Sequence, residues 1–232
     1  METSPPPIGT TTASASRPTA ITVICVIGFI GGADMPLIWE FQAGYEAGAN
    51  AVDPNIEVQA SYLSKPPDMT GFDNDILAFQ VAERMYGDGA DVIYHAAAAS
   101  GTGVFEAALQ LSDDLGRHLW AIGVDIDQYR SLDADDPWRP HILTSMVKRY
   151  DRAVYAILEE YANGDLKPGA RQFDLADGGV DLADSGGFID DIRPQLDALR
   201  ARIIAGEIDV PTIPPDKDDE AAEPVTTAVQ SG

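Results

Sequence analysis

Cysteine and lysine are scarce in this 232-residue chain, which has a single cysteine, Cys25, and four lysines. One cysteine excludes an internal disulfide and any metal site built from several cysteines. Acidic residues outnumber Lys and Arg by 38 to 15, so the formal net charge is −23. A surface of this charge repels phosphate backbones, and we therefore expect no nucleic-acid partner.

The sequence also lacks an apolar run of the ~20 residues that a membrane-spanning helix needs. The stretch from Ile21 to Gly32 is apolar, so a secretory signal or a lipid-attachment site at Cys25 has to be considered. The residues before it are rich in Pro, Ser and Thr, no small-x-small cleavage pattern follows it, and Ile24 stands where a lipid-attachment site has a small residue. We interpret the run as a buried strand.

Composition divides the chain into three parts. Residues 1–20 are predicted to be a disordered leader and residues 211–232 a disordered acidic, proline-rich tail. Between them, predicted strands and helices alternate at roughly 30-residue spacing. The strands are predicted at 23–30, 56–63, 90–97 and 118–125, and the helices at 36–51, 74–86 and 101–112. This alternation predicts an α/β fold with a parallel sheet and helices on both faces.

After residue 128 the rhythm changes. A short strand is predicted at 141–146, a strong amphipathic helix at Val147–Tyr161, a strand at 171–176 and a long helix at Phe188–Ala205.

Three loops follow predicted strands and are candidates for a ligand site, because ligands of open parallel sheets bind beyond the carboxyl ends of the strands. Their sequences are "GFIGGADMP", "AAAASGTG" and "GVDIDQY". In the first, Gly31 and Gly32 either contact a ligand or merely permit a tight turn. In the second, residues 100–103 begin a helix, and they either bind a polar ligand or simply cap the helix.

Two charged residues add to this rim. Asp125 ends an apolar strand, where its carboxylate can accept two sugar hydroxyls. Lys148 is predicted at the start of a helix, an unfavourable place for a cation, and is either a ligand contact or an ordinary surface lysine.

The sequence contains no G-x-S-x-G, H-E-x-x-H, Walker loop or paired cysteines, and its three histidines are scattered. We predict no catalytic residue, metal or cofactor, and a binding protein is favoured over an enzyme. The alternatives are a nucleotide- or sugar-using α/β enzyme with a phosphate loop at 100–103, and a non-binding interaction module.

Six segments in series resemble the basic membrane protein (BMP), or PnrA-like, family of ABC-transporter substrate-binding proteins. They are "VIGFIGGADMPLIWEFQAGYEAGA", "SYLSKPPDMTGFDND", "GADVIYHAAAASGTGVFEAA", "WAIGVDIDQY", "ILTSMVKRYDRAVY" and "GGFIDDIRPQLDALRARIIAGEI". The resemblance implies a two-lobed type I periplasmic-binding-protein fold that binds a nucleoside-like ligand and delivers it to an ABC permease. Family members work outside the cytoplasmic membrane on a lipid anchor, whereas we find no convincing signal or lipid-attachment site here.

The resemblance also implies ligand contacts. Phe72 matches the aromatic beside the base, and Asp125 and Lys148 match the polar residues that hold the ribose. The loop residues Ala99, Ser100 and Gly101 complete the predicted ligand site. Ala98 and Ala99 depart from the family pattern, which has a glycine pair there, and we expect the added methyl groups to narrow the pocket or to block close approach of the backbone.

The match begins within the family's second lobe, so we expect the first lobe to be largely missing. Residues 21–145 then form the second lobe, and residues 146–210 form crossover helices and a strand. The helix Val147–Tyr161 would expose its apolar stripe, and we expect this face to self-associate or to meet a separately encoded first lobe. The predicted function is that of a solute-binding protein, truncated and impaired in binding.

Overall fold

The computed structural model describes residues 26–217, and its centre is a six-stranded sheet. The strands are β1 (Val26–Gly31), β2 (Glu57–Tyr62), β3 (Val92–Ala96), β4 (Trp120–Asp125), β5 (Ile142–Lys148) and β6 (Val180–Leu182). Their spatial order is β2-β1-β3-β4-β5-β6, and all neighbours run parallel except β5 and β6. The predicted α/β fold with a mostly parallel sheet is confirmed.

Helices cover both faces of the sheet. They are α1 (Pro36–Val52), α2 (Asp75–Gly87), α3 (Gly101–Leu115), α4 (Gln128–Ser131), α5 (Tyr150–Asn163) and α6 (Arg193–Ile204). Successive residues of a strand face opposite sides, so in β1 Phe29 packs with Ile38 of α1, and Ile30 belongs to the core formed with α2 and α3. No helix among residues 26–217 combines the length and apolarity needed to cross a membrane.

The end of β5 differs from the sequence prediction. The helix predicted from Val147 begins at Tyr150, because Val147 and Lys148 continue β5 and pair with Asp181 and Val180 of β6. The strand predicted at 171–176 is wrong: these residues form no strand, and β6 lies at Val180–Leu182. Both errors have one cause, since the pairing of β5 with β6 joins residues far apart in sequence.

Two further boundaries differ. The helix predicted from Phe188 starts with a short 3₁₀ turn, Asp190–Ile192, and becomes α-helical at Arg193, with Pro194 in the first turn, where its missing N–H costs nothing. Residues 211–217 do not behave as the predicted tail. Pro214 is fully buried, and Lys217 donates a hydrogen bond to Asp34 at 2.9 Å. The predicted leader, 1–20, and residues 218–232 lie outside the described residues.

The last two long helices have no buried residue. On α5 the large apolar and aromatic side chains are 57–72% exposed, and these are Tyr150, Val154, Tyr155, Leu158 and Tyr161. We call this set the α5 face. Four of its members, Tyr150, Val154, Leu158 and Tyr161, belong to the stripe that the sequence predicts to be exposed. Tyr155 is not part of that stripe, and of the other two predicted members Val147 lies on β5 and Ile157 is half-buried. The core of the described residues therefore lies between the sheet, α1, α2 and α3, and α5 stands apart from it.

The packing of α2 against α3 rests on a close backbone approach at Gly103. A Cβ at this position would overlap the carbonyl oxygen of Asp75 and approach the amide nitrogen of Phe79. We predict that Gly103→Ala lowers the free energy of unfolding by about 1–3 kcal/mol because the helices must separate. The measurement is equilibrium urea unfolding.

Gly48→Ala is the matched control. Gly48 lies within α1, and a Cβ there would meet no atom within 4 Å. Alanine is the better helix former, so this variant should gain about 0.5–1 kcal/mol. Equal effects of the two substitutions would show that α2 and α3 are not packed as closely as described.

Candidate functional site

The carboxyl ends of β1, β3, β4 and β5 lie along one edge of the sheet, because these strands are parallel. The loops that leave this edge are bonded to one another. Gly32, after β1, donates its N–H to the carbonyl of Ala96 at 3.0 Å. Ser64, after β2, donates its hydroxyl to the carbonyl of Gly32 at 2.9 Å. We call this edge the rim.

Asp125 and Lys148 meet at the rim. The Nζ atom of Lys148 lies 2.9 Å from a carboxylate oxygen of Asp125, and the two side chains are 35% and 34% exposed. They come from adjacent strands, since Asp125 pairs with Val147 in the β4–β5 ladder. Lys148 ends β5 rather than starting a helix, so the predicted conflict with a helix dipole does not exist. The pair presents a hydrogen-bond acceptor and a donor to solvent side by side.

Lys148 has a second neighbour that the sequence did not reveal. Its Nζ atom lies 5.2 Å from the centre of the Phe41 ring, on α1, a distance at which a cation is attracted to an aromatic face. Phe41 packs against the apolar cluster that contains Ile38, also on α1. Its approach to Lys148 depends on how α1 lies across the sheet, which no local pattern records.

Phe72 ends a short 3₁₀ turn, Thr70–Phe72, and its ring packs on the backbone of the first loop. A Cβ at Gly32 would overlap this ring, so the glycine is needed for the contact. Phe72 also packs against the apolar cluster that contains Val124. Met146 packs against the same cluster. Val124 precedes Asp125, and Met146 lies two residues before Lys148. The predicted aromatic thus packs on the same cluster as residues next to, or two before, the predicted polar pair.

Ser100 does not fit its predicted ligand role. Its side chain is fully buried. The hydroxyl donates to the carbonyl of Gly71 at 2.8 Å and accepts from the N–H of Asn74 at 2.7 Å. The hydroxyl thereby ties the Phe72 turn to the loop "AAAASGTG" after β3, which we call the third loop from here on. Asn74 in turn caps α2 by accepting from the N–H of Leu77 at 3.0 Å.

The glycines of "SGTG" are explained by packing. A Cβ at Gly101 would overlap the ring of His95, and Gly103 allows α2 to approach, as described above. Gly101 is buried, which does not fit its predicted ligand contact. Ala99, the third residue predicted in this loop, is exposed at the rim together with Ala98, whose φ of 49° is left-handed.

His95 lies directly beneath the third loop. It is fully buried, and its ring packs edge-on against Phe105 with a centroid distance of 5.3 Å. Burial lowers the pKa of His95 to about 4, against smaller opposing effects of Gln128 and Asp125. The ring is therefore neutral at neutral pH, and both of its nitrogens are buried in the core.

Among residues 26–217, no group of three or more His, Cys, Asp or Glu side chains is arranged to hold a metal ion. The chemistry that the rim offers is hydrogen bonding by Asp125 and Lys148 beside aromatic surface. That arrangement suits a polar, hydroxyl-bearing ligand with a flat apolar part.

This architecture is that of the type I periplasmic-binding-protein fold found in ABC-transporter solute-binding proteins. A crystal structure of an ABC-transporter solute-binding protein from Aeropyrum pernix K1 is similar to it, with a TM-score of 0.64 and 25% identity over 84% of this chain and 60% of that one. The family model for ABC transporter substrate-binding protein PnrA-like matches residues 9–213. The chain belongs to this family, as the six quoted segments predict.

Two curated relatives show how much of a family member is present. The CD4+ T-cell-stimulating antigen of Listeria monocytogenes serovar 1/2a is 34% identical over 194 residues, which are 81% of this chain and 53% of that protein. The ABC transporter nucleoside-binding protein BmpA of Lactococcus lactis subsp. cremoris is also 34% identical over 194 residues, 80% of this chain and 53% of that protein. The chain spans about half the length of the curated relatives it matches.

The buried state of His95 predicts a loss of stability in acid. Its pKa is about 4 in the folded chain and about 6.5 when unfolded, so the unfolded chain binds the proton first and stability falls as pH falls from about 6.5 towards 4. Between pH 7 and pH 5 this amounts to about 2 kcal/mol. Urea unfolding at the two pH values should show that His95→Leu reduces the difference by roughly that amount.

His118→Leu is the comparison. His118 lies just before β4 and is exposed. Partial desolvation and the neighbouring His141 also lower its pKa. Because it is exposed, its substitution should change the pH dependence less than that of His95. An unchanged pH dependence in His95→Leu would contradict the buried, neutral state.

Proposed function

We propose that this protein is a solute-binding component of an ABC transporter and that its ligand is nucleoside-like. Membership of the PnrA-like family supports the first part. The second part is supported by a relative that is named as an ABC transporter nucleoside-binding protein. The observation that carries the proposal is the Asp125–Lys148 pair, an acceptor and a donor 2.9 Å apart at the ligand-binding edge of a parallel sheet.

Each part of a nucleoside has a partner in this proposal. The carboxylate of Asp125 accepts hydrogen bonds from the two ribose hydroxyls, and the ammonium group of Lys148 donates to a ribose oxygen. The ring of Phe72 stacks on the base. Ala99 lies at the exposed turn of the third loop, where its methyl group limits the space that a family glycine would leave open.

Residues 100–103 disfavour the enzyme alternative. A phosphate loop needs free backbone N–H groups and glycines that allow phosphate to approach. Here Gly101 makes room for His95 and Gly103 for α2, and the hydroxyl of Ser100 donates to Gly71 and accepts from Asn74. Contacts within the chain therefore account for both glycines and the serine of this loop without a bound phosphate group.

We further propose that an opposing lobe covers the α5 face in the working protein. The chain matches about half of its curated relatives, and α5 exposes five large apolar side chains. Burial of such side chains contributes about 1.5–3 kcal/mol each. The lobe would come from residues other than 26–217, from a second polypeptide or from another copy of this chain. Membership of the PnrA-like family leads us to propose a membrane permease as partner and an extracytoplasmic location.

Substitutions of the polar pair test the ligand proposal. Asp125→Asn and Lys148→Met each remove a charged hydrogen-bonding group worth about 1.5–3 kcal/mol, so each should weaken nucleoside binding roughly tenfold to a hundredfold. The measurement is isothermal titration with adenosine, guanosine, inosine, cytidine and uridine. In a thermal-shift assay, a nucleoside at ~100 times its dissociation constant should stabilise the chain by ~2.7 kcal/mol.

Asp135→Asn and Lys167→Met are matched controls, because both residues are exposed and lie outside the rim. They should bind as the unsubstituted chain does. Binding that is equally strong in Asp125→Asn, Lys148→Met and the controls would refute the assigned contacts. A melting curve that moves with a nucleotide and with no nucleoside would favour the enzyme alternative.

The α5 face makes a separate prediction. Val154→Thr combined with Leu158→Gln removes two exposed apolar groups without changing the charge. Because the unpartnered face binds other apolar surfaces, the double variant should bind less of the dye ANS and self-associate less in sedimentation velocity. Glu159→Gln, exposed on the same helix, is the control and should change neither. A compact monomer that binds no dye before substitution would overturn this proposal.

A further inference from the structure

Asp125 occupies an unusual backbone conformation. Its φ is 69°, in the left-handed region that residues other than glycine seldom adopt. The N–H of Ile126 donates to the carbonyl of Val124 at 2.8 Å, which makes Asp125 the central residue of a γ-turn. With a positive φ this is the rarer, strained form of the turn. Such a conformation persists only where the surrounding structure holds it.

Gln128 makes one contact within this turn and one with the neighbouring strand. Its side-chain Oε1 accepts a hydrogen bond from the N–H of Val124 at 2.8 Å. Its own backbone N–H donates to the hydroxyl of Ser145 at 3.2 Å. Ser145 is fully buried on β5, next to β4 in the sheet. The residue therefore joins the start of the turn to the neighbouring strand.

The sequence makes room for this arrangement at Gly123. A Cβ at Gly123 would overlap the Oε1 atom of Gln128 and the hydroxyl of Ser145. The pairing of β3 with β4 extends only to Tyr94 and Ile122. Beyond that point Gln128 provides the acceptor that the N–H of Val124 uses.

We propose that Gln128 is a positioning residue, which holds the strained turn so that the carboxylate of Asp125 faces Lys148 and the ligand. Gln128 acts through the backbone of Val124 and touches no ligand itself. The part that concerns the ligand rests on the proposed function. The part that concerns the turn does not, and it has its own measurement.

Gln128→Met tests the turn directly, because methionine has a similar length and offers no comparable acceptor. Amide hydrogen exchange, read by NMR, should become about tenfold faster at Val124 and Ile126 than in the unsubstituted chain. Ser145→Ala, a smaller change, removes the acceptor for the Gln128 N–H and should raise the exchange of Gln128 and, less strongly, of Val124. Gln110→Met is the control, since Gln110 is an exposed residue of α3 whose side chain bonds to Glu106.

Nucleoside binding tests the functional part. Gln128→Met should weaken the affinity about tenfold while its melting temperature stays close to that of Ser145→Ala, because the loss comes from a misplaced carboxylate. Gln128→Glu, which keeps an acceptor for Val124, should keep slow exchange at that amide. Unchanged exchange at Val124 in Gln128→Met would overturn the proposal, and so would faster exchange with unaltered affinity. Absence of nucleoside binding in the unsubstituted chain would instead contradict the proposed function, with faster exchange still supporting the role of Gln128 in the turn.

Discussion

The pairing of β5 with β4 on one side and β6 on the other fixes the position of Lys148, because the strand extends to that residue through its bonds to Val180. If the chain turned into a helix at Val147, as its local sequence suggests, Lys148 would leave the strand end and lose its place beside Asp125. The ion pair itself adds little to the stability of the sheet, since partly exposed pairs contribute ~0–1 kcal/mol. The backbone ladder determines the geometry of the site, and the charges follow from it.

The periodic part of the chain could be predicted from sequence, and the paired part could not. Apolar strands alternating with amphipathic helices identify β1 to β4 and α1 to α3, because each element there carries its own periodicity. The three residues of β6 carry no such signal, and the strand exists through its partner β5. The same limit explains Gln128, whose side chain bonds to Val124 and whose backbone N–H bonds to Ser145, two contacts that no local pattern records.

The glycine-rich loop illustrates how a motif misleads when packing is unknown. Glycines where a strand gives way to a helix are typical of phosphate loops, and they are equally typical of close approach between buried groups. In this chain the ring of His95 and the backbone of Asp75 occupy the space that side chains would fill. The contacts of His95 and Asp75 with this loop depend on the fold and cannot be read from the sequence. Asp125 and Lys148 do lie side by side, because strand ends converge in any parallel sheet, and their contacts with a ligand stay a prediction.

The exposure of the rim and the exposure of the α5 face lead to the same conclusion. Sites for small ligands usually enclose 70–90% of the ligand surface, whereas Asp125 and Lys148 are each about one-third open to solvent. A ligand held by this rim alone would keep much of its surface in water, and its hydrogen bonds would compete with solvent. The net charge of −23 keeps such a surface soluble but covers neither the rim nor α5. A second lobe would enclose the ligand and bury the helix at once, so ligand affinity and the state of the α5 face should change together.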